Sequence, residues 1–445
     1  MFRILANIPV PDPEVIALRR IFRIHRSDRF LALIDQAAVS ATNMLTAILV
    51  GRTCPKEELG LYGAGVSLVF LAFSFQKSLI VTPFTVIAPQ TPRLDQNRYR
   101  GSSLGQSLAF GIVTALALAI AGSLSARVFD HAEVGGMLKT LAAAVVFIIL
   151  RDFARTTAFA ELRFCRALAL DVSVAVLQLS GVVALILTGA LTAQMAFVVV
   201  GLACATASIG WLVAMRREVR FSATQLPTDV RRNWVLGRWL FSSGILGELS
   251  ISLYPWLIIY MHGTSEAGTW AACVGVVALY NPIMLAVYNE TGPRIAHSYA
   301  AGGAEALRAS VFHAVKRCSR SALPFLIILL VFGGRVAELV YGVNYAGNGI
   351  PVGLLSISAF VLACGFAFPY GLLALGRPRL DFAGNAAAFV VLLVSGLWLV
   401  ANYGVVGAAL GVLTANVAAV LFKASGYRYA LKETLSAVPS QGDVS

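Results

Sequence analysis

Charge is scarce in this chain. Asp, Glu, Lys and Arg make up 13% of its 445 residues, about half the share of roughly 25% found in soluble domains. That excludes an ordinary solvated globular domain. Cysteine is also sparse. Cys54, Cys165, Cys204, Cys273, Cys318 and Cys364 are scattered without paired spacing, so neither a disulfide framework nor a thiolate metal site is expected. The five histidines form no cluster either, and no metal or cofactor is expected. Enzyme signatures are missing too. No G-x-x-x-x-G-K-[ST] phosphate loop, D-x-D, H-E-x-x-H or G-x-S-x-G occurs, which argues against ATP use and against the common hydrolase chemistries. Short loops leave little room for a catalytic domain outside a membrane. The chain reads as a non-enzyme, with an enzyme embedded in the bilayer as the minor alternative. No signal peptide is expected at the N-terminus, where Pro9, Pro11 and Pro13 interrupt any apolar core.

What the chain has is apolar length. It is 58% hydrophobic with a mean hydropathy of +0.78, and apolar runs long enough to span a bilayer follow one another closely. They lie near 31–50, 60–84, 104–127, 138–160, 168–189, 193–215, 237–261, 267–290, 319–340, 347–374, 381–400 and 404–424. The fold class is therefore all-α and polytopic, with about twelve transmembrane helices. The net charge of +13 does not point to nucleic acid, because the basic residues sit between the apolar runs. With the N-terminus inside, 27 Lys and Arg fall on the inner side and five on the outer, while Lys77, Arg151 and Arg155 lie within spans. That asymmetry places both termini in the cytoplasm. Residues 14–30 alternate apolar positions with Arg19, Arg20, Arg23 and Arg26, as an amphipathic helix on an anionic membrane surface does.

The chain also repeats itself. Glu58-Leu59-Gly60-Leu61-Tyr62 returns as Glu266-Ala267-Gly268-Thr269-Trp270, an offset of 208. Asp171 returns as Asp381, and Gly201 and Ala205 as Gly411 and Ala415, at 210. Six helices per copy is an even number, so both copies run the same way through the membrane. The expected organisation is an N-terminal segment (1–30), a six-helix lobe (31–215) and a basic cytoplasmic linker (216–236). A second lobe (237–424) and a cytoplasmic tail (425–445) follow. The two parallel lobes would surround a central cavity.

Intramembrane charge is the strongest functional signal. A central Arg costs about 2.5–3.5 kcal/mol on insertion scales, so such residues face protein or water rather than lipid. Arg151 and Arg155 are four apart on one helix face, with Asp152 about 60° from Arg155. Asp35 and Lys77 lie at similar depths in the first and second spans. Two readings stand: interhelical glue, or a path for an anionic substrate whose phosphate meets the Arg donors. In the second half, Glu248 lies mid-span, Glu290 near an inner end, and Asn281 and Tyr288 share a face beside Pro282. Tyr254 and Trp256 flank Pro255; packing is the favoured reading and sugar stacking the alternative. Asp171 and Asp381 each follow basic residues and open a helix, which reads as N-terminal capping with a local ion pair.

The first span LIDQAAVSATNMLTAILVGR, the glycine–aromatic stretch EELGLYGAG and the last span GVVGAALGVLTANVAAVL complete a pattern. With the duplicated twelve-span plan, the chain resembles the polysaccharide-transporter branch of the multidrug/oligosaccharidyl-lipid/polysaccharide superfamily. The resemblance implies a flippase moving undecaprenyl-diphosphate-linked oligosaccharides across the bacterial inner membrane for O-antigen or exopolysaccharide synthesis. It implies a diphosphate held by cavity cations, here Lys77, Arg151 and Arg155, with Asp35 and Asp152 holding them; Asn281 and Tyr288, on their shared helix face, are the second half's substrate-binding candidates. Partners would be the lipid-linked oligosaccharide, the bilayer and polysaccharide polymerase machinery. The rival within the superfamily is a cation-coupled drug or small-solute exporter, with Asp35 or Glu248 as the ion site. A facilitator-type carrier shares the 6+6 plan, but its glycine and Asp-Arg loop is absent from QTPRLDQNRYRGSS at 90–103.

Overall fold

The structure, a computed structural model, describes residues 13–90, 92–128, 132–222 and 224–436, and among these the regular structure is helix alone. The first six helices are α1 Pro13–Thr53, α2 Lys56–Ile87, α3 Arg93–Val128, α4 Ala132–Ala160, α5 Phe164–Leu187 and α6 Ala193–Met215. The second six are α7 Leu226–His262, α8 over 264–301, α9 over 304–341, α10 Gly349–Ala374, α11 over 378–403 and α12 over 405–436. Each of the twelve expected spans falls on one of them. The backbone of α1 is helical from Pro13 into the first span. The amphipathic face expected for residues 14–30 lies outside the described side chains.

Breaks within helices have local causes. A π-helical turn at Lys77–Val81 precedes Pro83 in α2 and absorbs the backbone donor that proline lacks. Helix α8 breaks at Leu279–Tyr280, just before Pro282, and α10 breaks at Phe366, ahead of Pro369.

Three stretches expected as loops are largely helix. α3 begins at Arg93, α7 at Leu226, and α8 and α9 continue through the basic 291–320 stretch. Hydropathy reports the length that fits the bilayer, and these helices outlast it. The α8–α9 reversal takes only Gly302 and Gly303, the latter at φ 60°, a conformation that suits glycine. The 216–222 stretch of the linker is held against α3, where Arg220 N–H donates to the Asn97 carbonyl at 3.1 Å. Beyond it, Tyr99 Oη donates to Asn233 Oδ1 at 2.5 Å.

The two lobes meet at the repeated motif. A methyl built on Gly60 would lie 2.1 Å from the Thr264 carbonyl, and one on Gly268 would lie 2.0 Å from the Lys56 carbonyl. Thr264 and Gly268 are Lys56 and Gly60 advanced by 208, so the contact is reciprocal, as across a two-fold axis. One turn further in, Gly63 and Ala271 face each other at the same offset. Small residues let membrane helices approach backbone to backbone. Around this crossing, one apolar cluster joins Leu59 and Tyr62 of α2 to Ile258, Trp270 and Tyr341 of the second lobe.

Candidate functional site

Helix α4 is the central post of the first lobe. Of its most apolar eighteen residues 61% are buried, against 17% for α3, so polar groups on α4 face protein. Arg151 and Arg155 project from it toward α5 and α1. Arg151 Nη2 lies 2.5 Å from Asp171 Oδ1. Arg155 Nε donates to Asp171 Oδ2 at 2.6 Å, while its Nη2 donates to Asp35 Oδ2 at 2.6 Å and to Gln36 Oε1 at 3.1 Å. Its guanidinium also lies over the Phe159 ring. Asp35 and Asp171 are buried. The four groups form one charge-balanced network tying α1, α4 and α5 together.

Two sequence expectations change here. Asp171 is not a helix cap: α5 starts at Phe164, its N-cap is Arg163, and Asp171 lies two turns inside. Its partners come from α4 rather than from Arg163 or Arg166. Asp152, expected to hold the arginines, makes no ion pair with them; it lies within coulombic reach of Arg151, Arg155 and Lys77 only. The reason is angular, since Asp152 points off the face that carries both arginines. Asp35 holds Arg155 as expected. Lys77 is exposed on the π-helical turn of α2. The related Asp381 does lie in the first turn of its helix but pairs with Lys423 at 3.0 Å, not with neighbouring arginines.

The network is not saturated. Asp35 Oδ1 and Arg151 Nε are buried without a hydrogen-bond partner among the described residues. One carboxylate oxygen can thus take a proton or cation, and one guanidinium edge can donate to an anion.

The second-half candidates are not gathered in this way. Glu248 is half-buried on α7 and accepts from Ser252 Oγ at 3.1 Å. Asn281 is exposed at the start of a helical segment. Tyr288 stacks on Phe366 and belongs to packing between α8 and α10. Glu290 pairs with Arg294 at 2.8 Å and Arg317 at 3.4 Å. Tyr254 is fully buried beside Trp270, as the packing reading expects, and Trp256 Nε1 donates to Ser67 Oγ of α2 at 3.0 Å.

A second polar cluster was not anticipated. Where the start of α3 meets the end of α4, Arg100 pairs with Glu161 and donates to the Glu218 carbonyl, and Arg163 pairs with Glu218 at 2.8 Å. These residues read as scattered loop charges because their partners are some 60 to 120 residues apart.

Comparison with known proteins sets this geometry in context. No sequence among curated proteins matches the chain. Among solved structures, an inward-facing multidrug resistance MATE family transporter of the MOP superfamily is similar at TM-score 0.75 and 14% identity, over 90% of this chain and 96% of that one. An outward-facing MATE family transporter gives 0.63 at 15%, over 93% and 96%. The lipid II flippase MurJ in an inward closed conformation gives 0.68 at 10%, over 91% and 90%. These likenesses establish the fold. The family described as polysaccharide biosynthesis protein matches residues 90–348, more than half of the sequence, and the chain belongs to that family.

Proposed function

We propose that the chain carries a diphosphate-linked oligosaccharide lipid from the inner to the outer leaflet of a bacterial inner membrane, in the service of polysaccharide synthesis. The observation that carries the reading is the half-buried Arg151–Arg155 pair, held on buried Asp35 and Asp171, on the central helix of a polysaccharide-biosynthesis family member. A diphosphate entering the first lobe would compete with Asp35 and Asp171 for guanidinium donors, and Arg offers it two parallel bonds. The polyprenyl tail would stay in lipid. Lys77, exposed on the π-helical turn, would supply a third cation. The lobes (31–215 and 237–424) would rock about the glycine crossing, with both termini in the cytoplasm and polymerase machinery receiving the product. Because a carrier only shifts populations, the diphosphate must bind the two states differently. The greater likeness to the inward-facing MATE structure than to the outward-facing one supports a starting state open to the inside.

One observation favours the exporter alternative. Asp35 Oδ1 is buried and unpartnered among the described residues, which suits a coupling proton or cation. The test is lipid-linked sugar appearing at the outer leaflet of proteoliposomes, normalised to folded protein. Each Arg–phosphate contact is worth about 1.5–3 kcal/mol, so Arg151→Ala and Arg155→Ala should each slow transport at least tenfold, and the Lys variants less. Full transport by a folded double-Ala variant overturns the flippase site. Drug efflux lost on Asp35→Asn, with no sugar-lipid movement, selects the exporter.

A further inference from the structure

The inner ends of α8 and α9 hold a basic cleft that the proposed transport path does not use. Its walls come from both arms of the hairpin, and it encloses about 930 Å³. Arg294 and His297 line it from α8; His313, Lys316, Arg317 and Arg320 line it from α9. No acid lines it. The nearest, Glu290, is engaged by Arg294 and Arg317. Among the described residues Lys316 and Arg320 have no ion-pair partner, and both are exposed. Small residues on α9 (Ala306, Ala309, Ser310) keep the space open.

What lies below those cations decides the ligand. Lys316, Arg320, Leu323, Ile327 and Val331 fall on one face of α9 at helical spacing, and all five are exposed. Leu323 to Val331 covers about 12 Å along the axis, close to the roughly 15 Å of one leaflet's hydrocarbon. A soluble anion has no use for such a stripe. The far side of the hairpin is occupied, since Leu307 and Val311 pack against Leu372, Tyr427 and Leu431.

We propose that this cleft binds a lipid-borne phosphate group, with the headgroup on Lys316, Arg320 and Arg294 and the chain along Leu323, Ile327 and Val331. The chemistry is shared by an anionic phospholipid and a polyprenyl diphosphate. The site lies on the second lobe, away from Arg151 and Arg155, and stands whether or not those arginines bind substrate.

The experiment is native mass spectrometry of the detergent-purified full chain, offered phosphatidylglycerol, undecaprenyl diphosphate, phosphatidylcholine or inorganic pyrophosphate. Arg151 and Arg155 stay intact throughout, so lipid held there forms a constant background. The wild type should retain the anionic lipids over phosphatidylcholine. Lys316→Gln/Arg320→Gln should lose about tenfold of that added retention, as expected for two exposed, solvent-screened charges. Lys316→Arg/Arg320→Lys should keep it. Gel filtration checks folding, and exposed substitutions of this kind are ordinarily tolerated. Preference for undecaprenyl diphosphate would make the cleft a substrate dock, and equal retention of phosphatidylglycerol a phospholipid site; either supports it. Unchanged retention by the Gln variant, equal binding of phosphatidylcholine, or pyrophosphate binding as tightly as the lipids would overturn it.

Discussion

At the scale of residues, the charge network separates structure from transport. Asp171 forms ion pairs with both arginines while Asp152 pairs with neither, so the two acids should behave differently. Removing one partner of a buried ion pair leaves an uncompensated charge and costs about 3–5 kcal/mol. Asp171→Asn should therefore lower the detergent-unfolding midpoint of the purified chain markedly, and Asp152→Asn should leave it nearly unchanged. Equal effects would refute the pairing. The arginines were legible in the sequence because charge stands out against an apolar run. Asp35 was legible as a partner of Arg155, but the arginines' shared partner was not, because Asp171 sits 16 residues from Arg155 on the next helix. Its local neighbours Arg163 and Arg166 offered a nearer explanation. Burial of one carboxylate between two helices is a fact of packing, and spacing along one helix does not contain it.

At the scale of elements, the repeat carried more information than hydropathy did. Spans were legible from apolar length, but helix ends were not: Arg93, Leu226 and the whole 291–320 hairpin are polar helix whose support comes from neighbouring elements. The Gly60 and Gly268 motifs, by contrast, announced the duplication, although not that the two glycines meet each other. Each glycine stands where a methyl would fall within 2.1 Å of the opposite carbonyl, so the crossing admits no side chain. Gly60→Leu should force α2 and α8 apart at their outer ends. Thiol-reactive, membrane-impermeant maleimide should then label Ala271→Cys at least several-fold faster than in the parent, in a background lacking the native cysteines. Unchanged labelling with a folded protein would mean that the crossing yields without opening.

At the scale of the whole molecule, orientation and motion are the remaining questions, and each has a direct measurement. The 27-to-5 charge asymmetry predicts that reporters fused after Gln225 and at the C-terminus read cytoplasm, and one at Gly263 reads the outer face. A periplasmic reading after Gln225 would invert the molecule. Motion follows from the seam. Its end that the charge asymmetry assigns to the outer face is closed by the glycine crossing, by Arg52 donating to the Leu339 and Val340 carbonyls, and by Lys56 over the Tyr345 ring. A carrier that alternates must part these contacts in every cycle. Gly63 and Ala271 lie just inside the crossing, with a Cβ-to-Cβ distance of 2.8 Å for a side chain built at Gly63. Disulfides need roughly 3.5–4.5 Å, so a separation of about 1 Å would accommodate one. Gly63→Cys/Ala271→Cys, in the same cysteine-free background, should cross-link on mild oxidation and stop outer-leaflet delivery of substrate. Reduction should restore it, and either single variant should transport under both conditions. If the oxidised, fully cross-linked protein still transports, the outer seam does not open and rocking about this axis is wrong. Loss of transport in the reduced double variant would instead show that the crossing tolerates no added volume, and the Gly60→Leu labelling result would then report whether the seam had moved.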